Sequence, residues 1–536
     1  MKSLKNIFFF GLLFVAVACS DEFLESDPVN SSTEDTFYQT DDQMYAALMA
    51  AYDPLQYCNA LATFVPFGEI RSDNCKTGGG GEGDQPDMQA LEAFTNTEVN
   101  YVSDGIWEKN YTGIYRANLV INASYESDEA TVYKAEAKFL RAWYHFDVLR
   151  TYGPCPIIDQ TTYPESEEFT RQSRDNVNAF IESDLLEAIP VLLEKSEMPD
   201  DQLGRITKAA AQALLGKVYV YWADWNSDDA SLFGKAEEYL QAVINSSDYS
   251  LVADYSDLFD AHTENSSESI FEIQRSTKSG WTSWANTNGT EGNFWVQYAG
   301  PRGLNSKHPE IEAGWGFVLP QHDLMDFYLP DDTVRKRAVA YTYDELVTEE
   351  NTTISDPDDY VVWDIAQYNQ VDFVGYAQKK YPCWVDYEYL GSKSLNRPGN
   401  ERVIRLAEVY LLLAECKLRG TGNEGEAKVL MDEVRKYHVG MNTGTYNTVD
   451  DLISNYPERF SSVLDVLWYE RRAELAGEGD RWFDLVRSGR AESVMGVIYP
   501  GVDWSKHIYI PIGLTEQGNS GNTLTAYPDE TYPDPI

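Results

Sequence analysis

Apolar residues recur at helical spacing through two blocks of the chain and lose that spacing between them. In the first block, Asp104 to Ala123 and Glu129 to Tyr152 predict amphipathic helices, and Gly153-Pro154 supplies a stop. Asp175 to Leu193, Thr207 to Trp225 and Leu232 to Asn245 continue the pattern across short polar turns. The second block predicts helices over Glu401 to Leu418, Glu424 to Tyr437, Glu458 to Ala476 and Asp480 to Ser488. Between the blocks, from Ser250 to Asn400, Glu268 to Gln274 alternates as a strand, and Gly, Asn, Pro and aromatic residues follow without a helical period. A second irregular stretch, Phe64 to Thr97, holds the Gly78 to Gly81 run. Loops this long inside a compact protein are commonly functional.

Helices joined by turns of a few residues pack as antiparallel pairs. Lys208 to Asn245 and Val403 to Tyr437 each occupy about the 34 residues of a tetratricopeptide-like repeat. Ala209, Ala210, Ala213, Ala414 and Ala427 are small residues placed where paired helices must approach closely. The predicted fold is mainly α: a tetratricopeptide-like helical-pair scaffold with an irregular, aromatic-rich insertion containing short strands. Its parts are a helical scaffold over 41–250 with the loop 64–97, an irregular insertion over 251–400, and a second helical block over 401–536.

The N-terminus changes this picture from a soluble scaffold to an anchored one. Lys2 and Lys5 precede a continuous apolar run from Ile7 to Ala18, 12 residues long. That is too short for a membrane-spanning helix, which needs about 20 residues. It predicts a signal peptide over 1–18. Cys19 follows the small residues Ala16-Val17-Ala18 directly, which resembles a bacterial lipobox and predicts lipidation of Cys19, with 19–40 as a polar tether. The five other cysteines, Cys58, Cys75, Cys155, Cys383 and Cys416, are odd in number and irregularly spaced, which argues against a disulfide framework.

The chain carries a formal net charge of −45 over 536 residues. Such a field repels phosphate backbones, so nucleic-acid binding is excluded as a reading. Two G-x-G-x-x-G matches, at Gly78, Gly80, Gly83 and at Gly420, Gly422, Gly425, lack the strand-turn-helix setting that a phosphate cradle requires and read as turns. No H-E-x-x-H, G-x-S-x-G, P-loop or calcium loop occurs. No cofactor or metal is predicted, although calcium can draw oxygen ligands from distant loops. Nor does spacing single out a glycosidase carboxylate pair.

Charges are dense from Glu470 to Gly489, and they read as scaffold. Helical spacing sets Arg471 beside Glu474 and Arg481 beside Asp484 at i,i+3, and Glu401/Arg405 and Glu415/Arg419 at i,i+4. This run, the segments Arg405 to Leu411 and Ala135 to Ala142, the Tyr152-Gly153-Pro154 stop, the strand Ser269 to Gln274 and the ending His507-Ile508-Tyr509-Ile510-Pro511 together resemble the SusD/RagB family of Bacteroidetes outer-membrane lipoproteins. The resemblance covers essentially the whole mature chain, with 470–489 as the family signature. It implies a non-catalytic, lipid-anchored protein of the outer membrane, facing the cell exterior. Such a protein captures oligosaccharides and delivers them to a TonB-dependent SusC-like β-barrel transporter. Peptide capture within the same family and a surface-anchored glycosidase are the alternatives.

A sugar site needs flat aromatics for C–H faces beside amides, carboxylates or Arg for hydroxyls. Trp281 and Trp284 with Asn286 and Asn288 have that composition. Trp315 and Tyr298 with Arg302 form a second candidate edge, and Phe67, Arg71, Asp73 and Asn74 a third. Trp107, Trp143, Trp222, Trp468 and Trp482 lie in helical patterns and read as scaffold; Trp363 and Trp384 fall in the insertion.

Overall fold

A computed structural model describes residues 37–57, 64–164, 167–304, 308–357, 360 and 372–528. The signal peptide, Cys19, Cys58 and Trp363 lie outside the described residues.

The first helical block forms as its polar punctuation dictates. Tyr101–Ile121, Asp128–Tyr152, Arg174–Ala188, Lys208–Trp225 and Ala230–Ile244 are helices whose N-cap side chains, from Asn100, Ser127, Ser173, Thr207 and Asp229, each accept a first-turn backbone N–H. The third of these was predicted to run to Leu193 but ends at Ala188: Ile189 keeps helical geometry and bonds the Leu185 carbonyl, and Pro190 then has no N–H to continue the ladder. Neighbouring helices approach through glycine. A Cβ on Gly113 would lie 2.3 Å from the ring of Tyr144, and one on Gly216 would lie 2.6 Å from Leu240.

In the second block the predicted Glu401–Leu418 helix is instead strand Glu401–Arg405 followed by helix Leu406–Cys416. The strand pairs antiparallel with Ser269–Ile273, from Glu401 opposite Ile273 to Arg405 opposite Ser269. The β-branched Val403 and Ile404 suit that pleated, wholly buried strand. Glu401 therefore does not pair with Arg405 but with Arg275. Helix Glu424–Arg435 packs on Leu406–Cys416, which also rests on Ala230–Ile244, so helical pairs from the two blocks stack on one another. Val463–Leu475 begins at a Ser462/Asp465 capping box rather than at Glu458, and Arg481–Arg487 follows after a short turn.

The stretches read as irregular contain more order than their sequence period indicated. Within 64–97 lie helices Phe64–Ile70 and Pro86–Glu92 and strand Cys75–Gly78. That strand pairs with Phe317–Pro320 of the insertion, Cys75 opposite Pro320 and Gly78 opposite Phe317. The insertion also holds helices Phe294–Ala299, Thr333–Val339 and Tyr343–Asn351, and strands Ala340–Thr342 and Tyr376–Gln378 pair with each other. These elements are short, and their stability comes from tertiary contacts rather than from periodic patterning.

Where the pieces meet, the signature segment buries its charges. Arg471 donates to both oxygens of Asp484 at 2.8 and 3.0 Å, not to Glu474. Arg481 donates to Asp73 at 2.7 and 2.9 Å, not to Asp484. The oxygens of Glu474 are taken by Arg405 at 2.6 Å, His438 at 2.8 Å and Arg335 at 3.2 Å, all from other segments. Arg487 joins Asp484, Asp224 and Glu415. Only Glu415/Arg419 keeps its predicted i,i+4 partner. Spacing identified these charges as structural but named near neighbours, because the partners come from sequence-distant segments.

His438 is fully buried between Glu474 and Glu268, at 2.8 and 3.1 Å. Burial alone would push its pKa down, but the two carboxylates outweigh burial and raise it to about 9. The folded protein therefore holds this proton more tightly than the unfolded chain, whose histidine titrates near 6.5. The stabilisation is fully present below pH 6.5 and is lost as pH rises through about 9. Denaturant unfolding between pH 6.5 and 9.5 should show wild-type stability falling by up to about 3 kcal/mol. His438→Gln should start lower and lack that fall; the same slope in the variant would assign the effect to another group.

Candidate functional site

Beyond strand Ser269–Ile273 the chain enters a loop fastened at its root by Arg275. Its guanidinium pairs with Glu401 and donates to the carbonyl oxygens of Gln56, at 2.6 Å, and Gly292, at 3.4 Å. Within the loop, the Trp281 indole N–H donates to the carbonyls of Ser283 and Asn286 at 3.0 and 2.8 Å. Its ring fills the space where Gly289 has no side chain, since a Cβ there would fall 2.3 Å from it. Asn286 accepts from the Asn288 backbone N–H at 3.0 Å and so caps the turn Thr287–Gly289. Trp281 and Asn286 thus shape the loop from within.

Trp284 is what this loop presents. It is 53% exposed. Its ring stacks on half-buried Trp315 with centroids 6.0 Å apart and planes 28° apart, and it meets Phe294 edge-on at 5.8 Å. Tyr298 supports Trp315 from beneath at 4.9 Å, and Phe317 supports Tyr298 at 5.2 Å. Helix Phe294–Ala299 supplies Phe294 and Tyr298, while strand Phe317–Pro320 fixes Phe317. An exposed indole is held in one orientation by four further rings, which limits the rotamer entropy lost when a ligand docks.

The rim is polar and comes from two parts of the chain. Exposed Arg302 donates to the Trp315 carbonyl at 3.3 Å and lies against Gly80, where a Cβ would approach the guanidinium within 2.8 Å. The Gly80 N–H donates to Asp84 at 2.8 Å. Gln85, with φ of +57°, donates to the Tyr298 hydroxyl at 3.4 Å and accepts from Tyr101. Burial first, then Asp87 and Asp84, push the Tyr101 hydroxyl up to about 12, so it stays a proton donor through the physiological range.

The first two predicted edges therefore converge: Trp284, Trp315, Tyr298 and Arg302 lie together, Trp281 and Asn286 build the loop beneath, and Asn288 sits half-buried in its turn. The third edge is a correction. Phe67, Arg71, Asp73 and Asn74 are buried in the scaffold. Arg71 donates to the Leu91 and His507 carbonyls and lies over the Trp482 ring, Asp73 receives Arg472 and Arg481, and Asn74 joins Glu69 to Arg472. Polar residues beside an aromatic suggested a ligand edge, but their partners were the signature arginines. Sequence reading missed Tyr101, Gln85 and Phe294 as site residues; the Gly78–Gly81 run was the one signal pointing to their neighbourhood.

Among the described residues one His/carboxylate group brings possible metal-ligand atoms together: Glu268, His438 and Glu474. It does not suit a metal, because both ring nitrogens are engaged with separate carboxylates and the imidazole is held protonated. The described cysteines, Cys75, Cys155, Cys383 and Cys416, are all buried, with thiols pushed up by burial, unlike activated nucleophiles.

A stacked helical-pair scaffold that holds a braced aromatic surface is the architecture of a ligand-binding protein. Residues 364–507 match the SusD family model, and residues 22–220 match the model described as starch-binding, associating with the outer membrane. A SusD-like protein of Bacteroides ovatus is 27% identical over 89% of this chain and 80% of its own length. Surface glycan-binding protein A from Bacteroides thetaiotaomicron, solved in complex with laminarihexaose, superposes with a TM-score of 0.76 at 25% identity, covering 91% of this chain and 99% of that one. A laminarin-binding SusD-like protein matches at 28% identity with a TM-score of 0.75, over 91% of this chain and 99% of its own. The chain belongs to the SusD family.

The three tryptophans should separate in thermal unfolding. Trp284→Ala removes mostly exposed surface and should leave stability within about 0.5 kcal/mol of wild type. Trp281→Ala and Trp315→Ala open space inside the loop and beneath the platform, so both should melt distinctly earlier. A Trp284→Ala protein that melts earliest would show that Trp284 is packing rather than platform.

Proposed function

We propose that this protein captures an oligosaccharide on the Trp284 face at the outer surface of the outer membrane. It then passes the glycan to a SusC-like TonB-dependent β-barrel, without performing chemistry on it. The observation that carries this reading is the exposed, braced indole of Trp284 with Arg302 and the Gly80 loop at its edge. An indole face packs against the apolar C–H face of a sugar ring, while the Arg302 guanidinium and the Gln85 amide supply donors for ring oxygens and hydroxyls, and the Tyr101 hydroxyl oxygen offers an acceptor. Support for a glycan comes from family membership and from the laminarihexaose and laminarin ligands of two structural relatives. Laminarihexaose is therefore the first probe.

Lipidation of Cys19 would hold the scaffold at the membrane, and no helix among the described residues is long and apolar enough to cross one. Cys19→Ala should abolish labelling by a fatty-acid probe in cells; retained labelling would remove the anchor from this reading.

Calorimetric titration of laminarihexaose should give a Trp284→Ala variant affinity at least about tenfold below wild type, equivalent to about 1.4 kcal/mol of stacking. Tyr298→Phe should bind nearly as wild type, because the ring that supports Trp315 is kept. Unchanged affinity in Trp284→Ala would move the site elsewhere. Tighter competition by peptides than by oligosaccharides would make the ligand a peptide, and new reducing ends on incubated glycans would make the protein an enzyme.

A further inference from the structure

Helix Asp41–Tyr52, the turn at 200–205 and the end of strand Ser269–Ile273 line a half-open cavity of about 360 Å³. That volume lies within the range of small-ligand sites. Its lining shares no residue with the Trp284 face.

One wall is apolar and aromatic, with Met49, Leu203, Tyr45 and Tyr52. The Tyr52 hydroxyl is committed, donating to Glu136 at 2.5 Å and accepting the Ile206 N–H at 2.9 Å. Tyr45 differs. Its ring is fixed by Tyr133, 5.7 Å away, and by the Arg205 guanidinium, 5.6 Å from its centroid, yet its hydroxyl makes no hydrogen bond to another described residue.

The remaining lining is carboxamide and carboxylate. Gln56 donates to the Gln274 carbonyl at 2.7 Å. Gly204, at φ of +97°, leaves room for the Gln274 carboxamide, which a Cβ would approach within 2.4 Å. Such a position favours glycine twice, through its conformation and through the close approach. The positive charge of Arg205 is met by Glu136, and the negative charge of Asp53 by Arg116. Exposed Asp201 and Glu291 at the lining make no ion pair with a described residue.

The cavity thus offers a fixed aromatic ring with a spare hydroxyl, amide groups and carboxylate acceptors, and no spare positive charge. Phosphorylated and carboxylated ligands are repelled by this lining, whereas a neutral ring rich in hydroxyls finds an apolar wall and acceptors for its O–H groups. We propose that this cavity is a second saccharide subsite, separate from the Trp284 face and sized for a short neutral saccharide. The ligand class rests on the glycan-binding reading above; the place does not.

The test uses the full mature chain and neutral disaccharides: laminaribiose, cellobiose and maltose, with spermidine as a cationic control. In Trp284→Ala, calorimetry should still detect binding of at least one disaccharide. Adding Tyr45→Ala to that background should weaken this binding tenfold or more. Met49→Trp, which fills the cavity from the helix side, should do the same while thermal unfolding stays within a few degrees. The proposal is overturned if no disaccharide binds the Trp284→Ala protein, if folded Met49→Trp binds unchanged, or if spermidine binds and the sugars do not. Failure of the Trp284 reading looks different: laminarihexaose affinity would be insensitive to Trp284→Ala while remaining sensitive to Tyr45→Ala.

Discussion

The structure depends on charges that have been taken out of water and made to satisfy one another. Glu474 is reached by arginines from two other segments and by His438, Asp484 by Arg471 and Arg487, and Asp73 by Arg472 and Arg481. Lys217 joins Glu408 to Asp480, and Lys380 reaches Glu478. Removing such charges from water is costly, and the attraction repays it only when every partner is in place. Each pair therefore fixes where a distant part of the chain must lie. Helices 463–475 and 481–487 act as a hub that fastens the early loop, both helical blocks and the start of the insertion at once. Apolar packing around Trp143 and Trp482 makes the assembly compact, while the ion pairs make it specific.

This hub has consequences for the aromatic cluster around Trp284. Arg405 ends the strand that pairs with Ser269–Ile273, and Arg275 lies just beyond that strand at the root of the Trp284 loop. The loop springs from a place where backbone pairing and a buried ion pair coincide. The other support of the platform, strand Phe317–Pro320, pairs with Cys75–Gly78, whose neighbouring residues Asp73 and Asn74 are held by the hub arginines. Both edges of the aromatic cluster thus trace back to the same charges, although none of those charges lies among its rings.

The sequence made the long helices legible because period, caps and breakers agreed, as at Thr207 and Gly153. It misread Glu401 to Arg405 as helix, since a buried strand with polar ends and a helical turn share the same short composition. It recognised the signature charges as structural yet paired them locally, because helical spacing reports neighbours along one helix and not partners across a core. Trp284, Trp315, Tyr298 and Arg302, which lie together in the structure, were singled out by composition alone, and composition also singled out Phe67, Arg71, Asp73 and Asn74, which are buried. What separated the two was burial, which depends on contacts made hundreds of residues away. Tyr101 and Gln85 had only the nearby glycine run as a signal; they join the cluster because Gln85 bonds the Tyr298 hydroxyl and Tyr101 bonds Gln85.

The stacking of Trp284 on Trp315 settles the geometry of approach. One face of the outer indole is turned to the inner one, so on the proposed function a guest would lie against the other. A one-sided shelf grips a chain by its flank and imposes nothing on its ends. On the proposed function a polymer would be held at any interior stretch whose contour lies flat on the ring, with either terminus free to lead. Selection on such a surface acts on the curvature of the strand rather than on the identity of its tip.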